Sequence, residues 1–270
     1  MLHKYLEIDT HRLHYTLRKS ETGTGIKPVV LLHGFTEAVF VWDELAGYLS
    51  ELGYFVICVD LAGHGQSDCF SEVHTMELQA ELVNRVLEAE SVSEAAVIGH
   101  SMGGYVAAAF AALYPRKIKG LGFYHSHPAA DEPQAKENRR RSLQILRAGK
   151  ISFILDTTAD LFAPGTSAGY QPQIAALQES AGNMGAAAIA AAQAGMMERP
   201  SRLEVLQLPV PIMFIIGKRD NRINPAKIMA QTLIPEHCHV LTLPIGHMGF
   251  YERKSETEAF IRGYLQAICW

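Results

Sequence analysis

The sequence predicts an α/β fold, a mostly parallel sheet with helices on both faces. Short runs that are apolar throughout, rich in Val and Ile, recur as VVLL (29–32), YFVICV (54–59), AAVIG (95–99), IKGLGFY (118–124) and PIMFIIG (211–217), with HVLTL (239–243) as a last candidate. Strands of a parallel sheet, buried on both faces, need such continuous runs. Between the earlier runs lie segments of helical period, and this alternation marks a parallel sheet covered on both sides. A third observation sets the organisation: the alternation stops between 127 and 205, where helical patterns continue without a convincing strand.

In chain order, residues 3–9 and 12–18 alternate polar and apolar and read as a hairpin, followed by a loop punctuated by Gly23, Gly25 and Pro28. A helix is expected over 39–51, with Val41, Leu45, Tyr48 and Leu49 on one face, and another over 75–90, with Leu78, Leu82, Val86 and Leu87. A third begins at Met102 and stops before Pro115. Residues 127–205, with patterns such as Leu143, Ile145 and Leu146, then Phe153, Ile154 and Leu161, read as a helical cap over one sheet edge; 1–126 and 206–270 form the core. Asn224-Pro225 supplies an N-cap and a proline at the first helical position. Ser255 with Glu258 fits a capping box opening the C-terminal helix.

Composition narrows the function. The chain has 270 residues, 48% hydrophobic and 19% charged, with net charge −4. That balance calls for neither nucleic acid nor an anionic membrane as partner. No run approaches ~18 apolar residues, so no transmembrane helix is expected, and the N-terminus has no signal-peptide h-region. Cys58, Cys69, Cys238 and Cys269 show no CxxC spacing and are expected to be reduced, in a cytoplasmic protein.

Four places carry chemistry. Gly99-His100-Ser101-Met102-Gly103-Gly104 follows an apolar run and opens a helix, the context of a nucleophile elbow. The tight turn needs glycine two before and two after the serine, lifts Ser101 above the sheet edge and aims a helix N-terminus at its hydroxyl. His33-Gly34-Phe35 follows VVLL; the N–H groups of Phe35 and Met102 are the candidate donors to a developing oxyanion. Asp220, in GKRDNRINP (217–225), lies just past a strand end, where a carboxylate can hold an imidazole in one tautomer. Asp131, after the sixth strand, is its rival. His247, in Gly246-His247-Met248, is the candidate general base.

Together LLHGF, VDLAGHGQSD (59–68), GHSMGG, GKRDNRINP and Gly246-His247 resemble the α/β-hydrolase superfamily, in its capped esterase and haloperoxidase-like branch. The resemblance implies an eight-stranded sheet and a helical cap between strands 6 and 7. It also implies the chain order nucleophile, acid, base that Ser101, Asp220 and His247 follow. Haloalkane dehalogenases and epoxide hydrolases carry Asp at the elbow; Ser101 favours acyl transfer to water. The expected activity is cleavage of a small, mostly apolar carboxylic ester, with no cofactor or metal. The alternatives are a cofactor-free haloperoxidase or perhydrolase, a C–C bond hydrolase, a hydroxynitrile lyase, or a slow-turnover small-molecule receptor.

Gly63, His64 and Gly65 read as a structural turn. His125-x-His127 and His237-x-His239 would pair imidazoles on a strand face, but nothing completes a zinc pattern. The pocket is expected to be apolar, lined by Phe35, Met102, Met248 and Phe250 and, from the cap, by Phe153, Leu161, Phe162, Met196 and Met197. Arg219 and Arg222 are expected to point to solvent, and the basic run 136–141 to be the solvated face of a cap helix.

Overall fold

The computed structural model describes residues 1–19 and 27–270, so Gly23 and Gly25 lie outside the described residues. Eight strands form one sheet: β1 (Leu2–Ile8), β2 (His11–Arg18), β3 (Pro28–Leu32), β4 (Phe55–Val59), β5 (Ala95–His100), β6 (Ile118–Tyr124), β7 (Ile212–Gly217) and β8 (Cys238–Leu243). Their order is β1-β2-β4-β3-β5-β6-β7-β8. β1 and β2 form the expected hairpin, and β2 meets β4 antiparallel. From β4 to β8 every pairing is parallel.

The apolar runs become strands because both faces are covered. Every residue of β3, β4, β5 and β7 is buried. Successive side chains go to opposite faces: Val30, Leu32, Ile57 and Val97 pack with α2 (Met76–Ala89) and α3 (Met102–Leu113). Val29, Leu31, Val56 and Ile98 pack on the other side. There they meet α1 (Asp43–Glu51), whose segment opens with a 3₁₀ turn at Val39–Trp42, and the C-terminal helix.

Between β6 and β7 the described chain is helical: α4 (Pro133–Arg147), α5 (Ser152–Asp156), α6 (Gln171–Asn183) and α7 (Ala186–Glu198), with short 3₁₀ turns. After β7 comes α8 (Pro225–Gln231), capped by Asn224, whose side chain accepts from the Ala226 N–H at 3.0 Å. The capping box at Ser255 does not form. α9 (Gly249–Glu252) is followed after one residue by α10 (Lys254–Gln266), whose N-cap is Arg253, so Ser255 is the second residue of the helix and not its cap. Among the described residues no helix is long and apolar enough to cross a membrane, and the four cysteines are free.

The parallel strands end on one edge, where α/β proteins gather functional loops. Glycine sets the approach there: a Cβ on Gly99 would lie 2.1 Å from the Gly103 carbonyl oxygen, and one on Gly103 2.2 Å from that of Leu32. Gly263, on α10, has nothing within 4 Å of that position. Gly103→Ala is therefore expected to cost at least the roughly 1–3 kcal/mol of an overpacked site. Gly263→Ala should instead gain about 0.5–1 kcal/mol from helix propensity. Calorimetric Tm values read both; equal Tm values would show that the backbone gives way at Gly103.

Candidate active site

Ser101 sits alone between β5 and α3 with φ 48° and ψ −115°, a conformation that costs a non-glycine residue roughly 1–3 kcal/mol. Three hydrogen bonds hold it there. Its N–H donates to the Tyr124 carbonyl (3.0 Å), and its carbonyl accepts from the Gly104 N–H (3.0 Å) and from Ser126 Oγ (2.7 Å). The side chain faces a cavity of about 470 Å³ that Phe35 and His247 also line.

His247 follows β8, and its Nδ1 lies 2.7 Å from Asp220 Oδ2. The second carboxylate oxygen, Oδ1, accepts from the backbone N–H groups of Arg222 (2.8 Å) and Ile223 (3.1 Å). Burial pushes the Asp220 carboxyl up, but the charge of His247 and the hydrogen bonds outweigh it and hold the group well below the usual carboxylate range. The His247 N–H donates to the Leu161 carbonyl at 2.7 Å. No hydrogen bond joins Ser101 to His247 here, although such bonds often close only around substrate. Asp131 stands elsewhere, paired with Arg139 (2.5 Å) and Arg199 (2.8 Å).

Of the two His-x-His pairs only His125 reaches this group. It lies 3.4 Å from Asp220 Oδ2 without hydrogen-bond geometry, and burial pushes its pKa down to about 4. Ligand atoms of His125, Asp220 and His247 fall within 4.8 Å of one another. A tetrahedral zinc ligated at about 2.0–2.2 Å would hold two such atoms about 3.3 Å apart. The 2.7 Å separation of His247 and Asp220 is that of a direct hydrogen bond.

The loop after β3 is fixed from within. His33 Nδ1 donates to the Gly34 carbonyl (2.8 Å) while its Nε2 accepts from the Leu61 N–H (3.0 Å). The N–H groups of Phe35 and Met102 have no acceptor among the described residues.

A buried pair that the sequence reading missed stands behind both. Glu37 Oε2 accepts from the Gly34 N–H (2.7 Å) and from His100 Nδ1 (3.0 Å), and His100 Nε2 points at the His247 carbonyl (2.8 Å). Both ring nitrogens of His100 face acceptors, a set that only the imidazolium satisfies. Burial opposes both charges, yet Glu37 is held below its ordinary pKa, chiefly by the charge of His100, and His100 above its own by that of Glu37.

The lining differs from the expected apolar one. Phe35, Phe153, Leu161 and Met196 line the cavity. Met102, Met248, Phe250 and Phe162 are buried in the two sheet cores instead, and Met197 is not in the wall. Arg139, Asn138, Gln193 and Arg222 are part of it. The two loop arginines are exposed, as expected, but their ends are engaged: Arg219 donates to the Pro164 carbonyl and Arg222 Nη2 to that of Thr157 (2.8 Å).

Known proteins share this fold. The family described as alpha/beta hydrolase fold matches residues 27–254. The 2-hydroxy-6-oxononadienedioate/2-hydroxy-6-oxononatrienedioate hydrolase of Burkholderia vietnamiensis is 35% identical over 114 residues, 41% of this chain and 38% of that one. Bifunctional epoxide hydrolase 2 of Sus scrofa is 32% identical over 142 residues, 52% of this chain and 24% of that one. The chain thus matches well under half the length of these curated relatives. In structure, a malate-bound thermophilic esterase of Thermogutta terrifontis superposes with TM-score 0.87 at 26% identity, over 98% of each chain. The enol-lactonase of Burkholderia xenovorans shares the fold, with TM-score 0.88 at 19% identity, over 97% of this chain and all (100%) of that one.

The Glu37–His100 pair predicts a pH signature. Glu37, lowered from 4.5, contributes stability that is present above that value and lost as pH falls through its folded pKa. His100, raised from 6.5, contributes stability that is complete below that value and lost as pH rises through its folded pKa. Glu37→Gln should therefore cost most between these values, roughly 3–5 kcal/mol for breaking a buried pair, and less at alkaline pH. Tm against pH for both proteins measures this; a pH-independent gap would refute the ion pair.

Proposed function

The chain belongs to the α/β-hydrolase fold family, and from that premise we propose that it is a serine hydrolase cleaving a small, mostly apolar carboxylic ester. Ser101 Oγ attacks the ester carbonyl while His247 takes its proton. The tetrahedral oxyanion accepts hydrogen bonds from the N–H groups of Phe35 and Met102. His247 then protonates the departing alcohol, and a water activated by the same imidazole hydrolyses the acyl-enzyme. Asp220 holds the tautomer in which Nδ1 carries hydrogen and stabilises the imidazolium. The helices over 127–205 act as a cap, and 1–126 with 206–270 as the core.

One observation carries this reading: the strained Ser101 and His247, the latter joined to Asp220 at 2.7 Å, line one cavity beside the Phe35 loop. Phe35, Leu161 and Met196 offer an apolar bed for the acyl chain. Fluorophosphonate should add once, at Ser101 by peptide mass, and hydrolysis of p-nitrophenyl butyrate should run well past one cycle, unlike a receptor. Labelling that persists in Ser101→Ala would falsify the assignment.

The acid has its own test. Asp220→Asn is expected to lower kcat by about 10⁴-fold, by analogy with serine proteases. Asp131→Asn, which breaks up the arginine pairing, should cost stability and far less kcat. Steady-state kinetics and Tm on both variants decide it, and the reverse ranking in kcat would overturn the choice of acid.

A further inference from the structure

The basic run 136–141 is not uniformly a solvated face. Ala135, Asn138, Arg139 and Ser142 line the cavity; their i, i+3, i+4, i+7 spacing is one face of a helix. Arg140 and Arg141 lie outside and pair with Glu137 (3.2 and 3.4 Å). Arg139 is turned inward, its Nε 2.5 Å from Asp131 Oδ2 and its Nη1 donating to Gln193 Oε1 at 3.2 Å.

Asp131 also faces Arg199, whose Nη2 is 2.8 Å from Oδ1 and whose guanidinium lies 3.6 Å over the Tyr105 ring. Two guanidinium groups share one carboxylate. His127, which burial holds neutral with a pKa near 4, adds no charge. This corner therefore carries one uncompensated positive charge. Its unpartnered hydrogen-bonding atoms are donors. Arg139 Nη2 has no partner among the described residues. Gln193, only 6% exposed, has its oxygen committed to Arg139, and Asn138 Oδ1 is taken by Gln134. Each amide oxygen thus already accepts one hydrogen bond, while the N–H groups of the three side chains left over here have no partner among the described residues.

We propose that this wall, centred on Arg139 and Gln193, binds a carboxylate carried by the substrate at the end remote from the scissile bond, so that the preferred esters are monoesters of dicarboxylic acids. A planar guanidinium with a neighbouring amide N–H matches the two oxygens of a carboxylate. The proposal rests on the ester-hydrolase reading and revises its acyl end, whose methylenes lie on the apolar bed but terminate in a carboxylate.

The test compares monomethyl succinate, glutarate and adipate with methyl butyrate, valerate and hexanoate in a pH-stat. The best monoester should exceed its neutral counterpart in kcat/KM by about tenfold or more, and Arg139→Met should lower that ratio by about ten- to a hundredfold. Arg139→Lys should keep part of it. In both variants Asp131 retains Arg199. Free glutarate or adipate should slow fluorophosphonate labelling of Ser101 in the wild type and lose that effect in Arg139→Met. Neutral esters cleaved as well as monoesters, a ratio unmoved by Arg139→Met, or a ratio lost in Arg222→Met instead would each overturn the proposal. So would Ser101 labelling with no cleavage of either series. Absence of both labelling and cleavage would fail the hydrolase reading itself.

Discussion

The contact on which the site depends is backbone against backbone, at the N-terminus of α3. With glycine at 99 and 103, the first turn of the helix meets the end of β3; a Cβ would stand 2.1 Å from the Gly103 oxygen or 2.2 Å from that of Leu32. Gly104 extends the contact to β6, since a Cβ there would lie 2.2 Å from Ser126 Oγ, the hydroxyl that donates to the Ser101 carbonyl. The ends of β3 and β5 are thereby locked together with no side chain between them, and Ser126 ties in the chain that leaves β6. This over-determination sustains the positive φ of Ser101, because relaxing it would break three hydrogen bonds at once.

A second layer of buried charge steadies the loop after β3. Glu37 holds it from one side through the Gly34 N–H and His100. Asp60 holds it from the other, accepting from the Val39 N–H (2.7 Å) while bonding His14 (2.6 Å) and the Gln66 N–H (2.9 Å). Ion pairs of this kind gain little net stability against apolar replacements of similar volume. Their effect here is geometric. His100 ties the strand before Ser101 to the carbonyl of His247, so the oxyanion loop, the elbow and the histidine loop share one set of hydrogen bonds. Donors fixed in this way need little reorganisation as charge develops.

What the sequence made legible was local. Apolar runs buried on both faces and the glycine pattern around Ser101 are short-range signals, and both appear in the structure as expected. Glu37 and His100 are 63 residues apart and carry no spacing rule, so nothing in one chain pairs them. Ser255 and Glu258 satisfy a local rule, but the helix starts at Lys254, with Arg253 as its N-cap directly after α9, so the serine falls inside it. Arg139 was readable in principle: the spacing of Ala135, Asn138, Arg139 and Ser142 picks out one helix face. It was obscured because polar residues on a helix ordinarily mark the solvent side, whereas here they face a cavity.

The region between β6 and β7 is no independent body laid over the sheet. Its segment 157–164 is bound to the loops that carry Asp220 and His247. Thr157 and Pro164 accept from Arg222 and Arg219, and Leu161 accepts from the His247 N–H. Glu252 bridges the same place, taking the Ala163 N–H on one oxygen (3.0 Å) and the Gly246 N–H on the other (2.9 Å). Gly246 permits the contact, since a Cβ there would lie 2.4 Å from the Ala163 nitrogen. Any displacement of 161–163 would pull directly on the backbone of His247. α4 and α7 bring Arg139 and Gln193 to the wall of the same cavity, so this polar wall and the reacting groups come from separate elements of the fold.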